Sequence, residues 1–280
     1  MLLRTDNGSG RGAMRMAALP MCAAACAAAF FSIGLFAQDA GRGAAPPGAQ
    51  SGAGRGRGGG ATLGQQPIEE KGFQQIFDGS SLKGWDCDPD FWRVEQGSMV
   101  AETRPGHMPK QNIFCIWRDG KPADFDLKLQ YRLTGAGGNS GVQYRSIERP
   151  DVAQWVMQGY QADIDADERY TGQVYEERGR GFLANRGNFA YVGDGQKSAL
   201  VGSVGDGNEL KKLIHSGDWN DLEVIARGNT LIQLINGHVM SVLVDDDKAN
   251  RKMDGLIGVQ LHVTQAGEKV EARNIRIKVF

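Results

Sequence analysis

"FDLKLQYRL", Phe125 to Leu133, alternates without a break. Phe125, Leu127, Leu129, Tyr131 and Leu133 are apolar or aromatic, and Asp126, Lys128, Gln130 and Arg132 between them are polar. Successive side chains of an extended chain point to opposite faces, so this stretch is predicted as a strand with one dry face and one wet face. The period of two recurs on either side. In "GVQYRS", Val142 and Tyr144 alternate with Gln143 and Arg145; in "YQADID", Tyr160, Ala162 and Ile164 alternate with Gln161, Asp163 and Asp165. "DLEVIARGNTLIQLINGHVMSVLV" reads as strand, turn, strand, turn, strand, and its Asn236-Gly237 step is a two-residue hairpin signal, because both residues tolerate positive φ. "LIGVQLHV" and "NIRIKVF" complete the set. No long segment repeats apolar residues at helical spacing. The expectation is an all-β fold, an antiparallel sandwich or jelly roll. Two stretches, 146–159 and 167–213, have weak periodicity and are expected to be long loops, which on a rigid sheet often carry binding residues.

The N-terminus reads differently. Arg11 and Arg15 precede an uncharged run rich in Ala, Leu, Phe and Met from Met16 to Ala37, followed by "LFAQDA". This is the pattern of a secretory signal peptide, here residues 1–40, with cleavage near Ala37 or Ala40; an uncleaved anchor is the alternative. Residues 41–66 are a Gly/Ala/Arg-rich flexible linker, which cannot bury enough apolar surface to offset its ordering entropy. Residues 67–280 form the domain. They hold 26 basic and 31 acidic side chains, a net charge of −5, with no basic patch, so nucleic acid is excluded as a partner. No stable membrane partner is expected once the leader is removed, and the location is exported, periplasmic or extracellular. Cys87 and Cys115 remain in the domain. In an exported chain they either pair or stay as two buried thiols, and their spacing is not that of a metal site.

Several motifs occur in order: "FQQIFDGSSLKGWD", "FWRVEQGSMVAE", "NSGVQYRS", "GYQADIDADERYTGQVYEERGRGFLA", "GDWNDLEVIARGNTLIQLINGHVM" and "GLIGVQLHV" followed by "VEARNIRIK". Together, from about Phe73 to Phe280, they resemble the 3-keto-disaccharide hydrolase domain family, also described as a 3-keto-glucoside lyase and 3-keto-2-hydroxy-glucal hydratase domain. The resemblance implies a concanavalin-like jelly-roll sandwich of two antiparallel sheets. It also implies an exported enzyme that cleaves 3-keto-glycosides. In that chemistry a base removes the C2 proton, the C1 substituent leaves by β-elimination, and water adds back. The substrate would be a sugar bearing a ketone at C3. Many relatives carry Glu and Gln where this chain has Gln161 and Asp163. "TQAGEKVEA" stands where a Gly-Pro-rich turn and an aromatic residue are common. Both departures bear on substrate choice and on the identity of the base.

Such a site needs a base near C2, an electrophile for the C3 oxygen and an acid for the leaving group. Asp163 and Asp165 lie two apart on a predicted strand, roughly 7 Å from each other on one face with Gln161. That spacing suits a base, an acid or a cation site, against the plainer reading of a solvated sheet face. Asp165 is equally well read as the start of the turn "DADE". Arg145 is expected to share its strand's wet face with Gln143, and to polarise a ketone or to make a surface ion pair. His262, in phase with Gln260, is the first choice for proton transfer or as a metal ligand, against the plainer reading of a hydrogen-bonded structural histidine. Glu176 in "VYEERGRG" is a candidate acid, with Glu177 pointing the other way. Arg178 and Arg180 of the same loop are candidate substrate contacts. Tyr170, Tyr175 and Trp155 are candidate sugar-stacking rings, and Tyr160 is expected in the core. The sequence names no cofactor with certainty; a divalent cation is the one that the paired carboxylates could hold. "DDDK" from Asp245 is read as a polar hairpin tip rather than a calcium run. Two other functions fit the same fold: a non-catalytic carbohydrate-binding module, and a calcium-stabilised structural module.

Overall fold

The computed structural model describes residues 70–263 and 267–280, so the leader and linker read from the sequence lie outside the described residues. In chain order the first strands are β1 (Gln74–Gln75), β2 (Trp85–Asp86), β3 (Trp92–Glu95), β4 (Ser98–Glu102), β5 (Ile113–Trp117) and β6 (Phe125–Thr134). They continue with β7 (Asn139–Glu148), β8 (Met157–Asp165), β9 (Val174–Glu177), β10 (Gly181–Ala184), β11 (Asn188–Val192) and β12 (Ala199–Ser203). A short helix α1 (Gly207–Lys211) precedes β13 (Asn220–Arg227), β14 (Thr230–Ile235), β15 (His238–Asp245), β16 (Leu256–Leu261) and β17 (Lys269–Val279). One sheet has ten strands in the order β12-β11-β15-β14-β13-β6-β17-β4-β3, with β1 also paired to β17. The other has seven, in the order β10-β9-β8-β7-β16-β5-β2. All pairings are antiparallel except β11 with β15. The architecture is the all-β jelly-roll sandwich.

The opening stretch behaves as its alternation requires. Phe125, Leu127, Leu129, Tyr131 and Leu133 are all buried, and the residues between them are half-exposed. They share one core with Val142, Tyr144, Tyr160, Ala162, Ile164, Val259 and Leu261 of the seven-stranded sheet. Each such side chain contributes about 1.5–3 kcal/mol when fully buried. Asn236 and Gly237 have φ of 51° and 79°, the twist that lets a two-residue turn join β14 to β15. Cys87 and Cys115 form a disulfide with Cα atoms 4.2 Å apart, tying the chain just after β2 to β5.

Two expectations are corrected. Residues 167–213 are not one long loop: they hold β9 to β12 and α1, in strands of four or five residues, too short for a period to show. The wet faces of the seven-stranded sheet are also mostly buried. The connection between β7 and β8 folds back over Phe114, Ile116, Met157 and Leu256, which form a second, smaller apolar cluster. The Phe114 amide donates to the Trp155 carbonyl, and the Trp155 indole donates to Asp86.

Two arginines join the sheets. Arg180, in the β9–β10 turn, donates to Glu176 (Oε2, 2.5 Å) and to Asp245 of β15 (Oδ2, 2.6 Å), with Asp247 at 3.5 Å. Tyr160 of β8 donates its hydroxyl to the same Asp245 oxygen. Arg145 of β7 reaches the ends of β6 and β13 in the opposite sheet: it donates to the carbonyls of Ala123 (2.8 Å) and Gly228 (2.7 Å) and to the Asp124 carboxylate (3.1 Å). Asp245 and Asp247 are therefore buried ion-pair partners and not a solvated tip. Removing one member of a buried charge cluster leaves the others uncompensated, at about 3–5 kcal/mol. Arg180→Met is expected to lose about that much stability in denaturant unfolding, and adding Asp245→Asn is expected to recover part of it. A loss below about 1 kcal/mol would remove the clamp's structural role.

Candidate active site

The outer face of the seven-stranded sheet carries a cleft of about 310 Å³, at the lower end of the size range of small-molecule sites. It is lined by the polar Gln161, Asp163, Glu177, Asn112, Asn139 and His262 and by three rings, Tyr170, Tyr175 and Phe182, that pack on one another. Alternation along β8 explains the first pair: Tyr160, Ala162 and Ile164 fill the core, so Gln161 and Asp163 face outward.

Gln161 lies across its neighbouring strand. A Cβ built on Gly141 would stand 2.5 Å from Gln161 Cγ and Cδ, so only glycine leaves room there. The amide is held from both ends. Gln260 Nε2 donates to Gln161 Oε1 (3.2 Å), and Gln161 Nε2 donates to Asp163 Oδ1 (3.3 Å). Gln143 faces Gln161 across the β7–β8 ladder, and both of its amide atoms are buried with no partner among the described residues.

Asp163 is only 5% exposed, and no cation among the described residues stands within ion-pair distance of it. Burial pushes its carboxyl up to about 8, opposed by the Gln161 hydrogen bond and reinforced by the charges of Asp165 and Glu177. Glu177 is also raised by burial, against a hydrogen bond from Asn112 and the charge of Arg178. His262 shifts the other way: burial lowers it, because the imidazolium is the charged form. Its Nδ1 has no partner among the described residues. Behind the cleft, the buried Glu268 carboxyl accepts the main-chain N–H groups of Asn139 (3.0 Å) and His262 (3.3 Å), and burial raises it to about 8. It ties two cleft residues from separate strand ends to one anchor. The same loss of water thus favours a protonated Asp163 and a neutral His262 in one cleft at neutral pH, an acid and a base at once.

Of the sequence-predicted residues, the structure gathers Gln161, Asp163, Tyr170, Tyr175 and His262 in this cleft. Gln143 and Gln260 share its sheet face beside Gln161. The others lie elsewhere. Glu176 opposes Tyr160 on the inner side and is spent on Arg180, and Arg180 is spent on Glu176 and Asp245. Arg178 is exposed and donates to Gln111 (3.0 Å). Asp165 accepts the N–H groups of Arg169, Tyr170 and Thr171, so it caps its own turn. Arg145 leaves the wet face because its backbone turns left-handed (φ 46°) at a register shift in the β7–β8 pairing; its side chain is 1% exposed and points to the other sheet. Sequence reasoning gave no role to Glu177, Phe182, Asn112, Asn139 or Glu268. For Glu177 a signal existed: it is two residues from Tyr175, on the face opposite Glu176. Asn112 and Glu268 lie just outside strands, where no period marks a face. Among the described residues, no group of three or more His, Cys, Asp or Glu side chains is arranged to hold a metal ion.

Gly141→Ala is expected to push the Gln161 amide off Asp163. Because that hydrogen bond lowers the Asp163 pKa, the variant should titrate Asp163 above its wild-type value, read by carboxyl carbon NMR, with a stability loss of about 1–3 kcal/mol. An unmoved titration would show that the amide does not tune the acid.

Comparison with curated proteins finds no match. Among solved structures, the chain is similar to a candidate glycosyl hydrolase from Parabacteroides distasonis (18% identity, 76% of this chain and 99% of that one, TM-score 0.49). It is also similar to a protein of unknown function with a galectin-like fold from Bacillus subtilis (12%, 74% and 94%, TM-score 0.49) and to a carbohydrate-binding module from the same organism (12%, 70% and 95%, TM-score 0.45). The profile of a 3-keto-alpha-glucoside-1,2-lyase-like domain matches residues 72–278. That match spans nearly all the described residues, including the cleft, and the chain belongs to the 3-keto-alpha-glucoside-1,2-lyase-like domain family.

Proposed function

We propose that this protein is a carbohydrate-active enzyme that cleaves 3-keto-glycosides by elimination and hydration. The observation that carries the reading is that one cleft is lined both by Asp163, a buried carboxyl whose loss of water favours the protonated form, and by His262, whose loss of water favours the neutral form. A ketone at C3 acidifies the C2 proton. His262 takes that proton, and the electron pair passes into the enolate, whose C3 oxygen draws hydrogen bonds from donors in the cleft. The enolate collapses, the C1–O bond breaks with its electron pair, and Asp163 delivers a proton to the leaving oxygen. Water then adds across the new C1=C2 bond, with hydroxide at C1 and the proton at C2. Net hydrolysis results without an oxocarbenium ion, in contrast to two-carboxylate glycosidases.

The sequence left the base open between Asp163 and His262. In this reading His262 is the base at neutral pH, since a base must be unprotonated and burial keeps Asp163 protonated until about pH 8. The rings of the cleft support a second reading, a carbohydrate-binding module without turnover. Export is part of the proposal. The uncharged run before Ala37 and the Cys87–Cys115 disulfide both suit an oxidising compartment, periplasmic or extracellular.

The assay follows release of the C1 substituent from 3-keto-glucosides, with and without added divalent cation. His262→Ala and Asp163→Asn are each expected to lower kcat by about 10²–10⁴-fold. The wild-type kcat/KM profile is expected to be bell-shaped. It should rise with pH as His262 loses its proton, below its ordinary 6.5, and fall as Asp163 ionises near 8. Asp163→Asn should abolish the alkaline limb. A rate that climbs through pH 8 would make Asp163 the base instead. Sugar binding without turnover over a panel of linkages would favour the module.

A further inference from the structure

The cleft has two chemically unlike sets of side chains, and the proposed reaction uses only one. The proton-transfer pair and the amides are the polar set. The aromatic set consists of Phe182 packed against Tyr170 (ring centroids 5.3 Å apart, planes within 27°) and Tyr175 (4.9 Å, tilted 58°). Phe182 and Tyr175 are register partners on β10 and β9, so the rings project from the outer edge of the seven-stranded sheet. Tyr170 is held on its turn by Asp165, which accepts its N–H at 2.6 Å, and Arg169 sits 5.4 Å from its ring centre. The rings are thus positioned before any ligand arrives. Phe182 remains 43% exposed although it packs against two other rings. A phenyl ring offers no hydrogen bond; it can cover the C–H face of a sugar, but the partner that matches its whole face is flat and apolar.

A glycoside has two parts: the reacting ring, whose ketone and hydroxyls need polar partners, and the group on C1, which departs. With the reacting ring over Asp163 and His262, the group on C1 is the part left for the aromatic set. We infer that Phe182, supported by Tyr170 and Tyr175, is a leaving-group subsite selective for aryl aglycones. The inference rests on the proposed 3-keto-glycoside reading and deepens it. The ring stacks on the aryl face in both the ground state and the transition state, so its effect falls on KM more than on kcat.

The test compares phenyl and methyl 3-keto-glucosides, and a 3-keto-disaccharide, in wild type, Phe182→Ala and Phe182→Tyr. The expected result is a fall of about tenfold in the phenyl-to-methyl ratio of kcat/KM for Phe182→Ala, carried by KM, and retention of the ratio in Phe182→Tyr. An unchanged ratio overturns the inference, as does a larger loss for the disaccharide than for the phenyl substrate, which would make the rings a sugar platform. A second measurement needs no turnover. In saturation-transfer NMR with unoxidised phenyl glucoside, the phenyl protons of the ligand should receive the strongest transfer from wild type and lose it in Phe182→Ala. If no 3-keto-glycoside is turned over but this pattern appears, the reaction assignment fails and the aryl subsite stands; uniform transfer over sugar and phenyl protons removes the subsite.

Discussion

The charge cluster around Arg180 holds the two sheets in a fixed relation, and the cleft depends on it. β8 contributes Tyr160 to that cluster on its inner face and Gln161 and Asp163 to the cleft on its outer face. The β9–β10 hairpin contributes Glu176 inward and Glu177 outward. Each of these strands is therefore anchored from the core side by charge and hydrogen bonding. The side chains that face the cleft are presented by backbone that has little freedom to move. Arg145 does the same for β7, reaching the ends of β6 and β13 in the other sheet. Buried ion pairs are a weak source of net stability, but they fix geometry.

The second constraint is that the cleft's ionisable groups are dry. Asp163 has an amide for company and, among the described residues, no cation within ion-pair distance, so water loss dominates its titration. The same loss of water acts on His262 with opposite sign, because there the protonated form carries the charge. One environment therefore separates the proton affinities of two groups whose ordinary values stand in the reverse order. Glu268 adds rigidity: a single carboxyl accepts from the main chain at Asn139 and at His262.

The sheet fold was legible because period-two alternation is a local property, and Phe125 to Leu133 obeys it residue by residue. Part of the site was legible for the same reason, since phase along β8 places Gln161 and Asp163 on the face opposite Tyr160. Arg145 was misread because one left-handed residue reverses the phase, and nothing in "GVQYRS" announces it. Arg180 was misread because its partner Asp245 lies 65 residues away in sequence and on the other sheet, and Glu176 was misread with it because its partner is Arg180. Asn112, Asn139 and Glu268 reach the cleft through strand ends, where periodicity stops and only tertiary packing decides direction. The sequence-level reading of burial was also too generous to water: Gln143, Gln161, Asp163 and Gln260, on a face that alternation alone would leave solvated, are all buried.

The position of β17 has a consequence for how the chain acquires this structure. Residues 269–279 pair with β6 on one side and with β4 and β1 on the other, so a late segment lies inside the larger sheet. During synthesis, β1, β3, β4 and β6 emerge long before the strand that joins them exists. Closing such distant pairs is slow, and until it happens the edges of β4 and β6 lack their partner. The ten-stranded sheet cannot be finished on the ribosome before that segment is made. Completion of the larger sheet therefore waits on pairings between its first strands and its last, long-range contacts of the kind that form slowly.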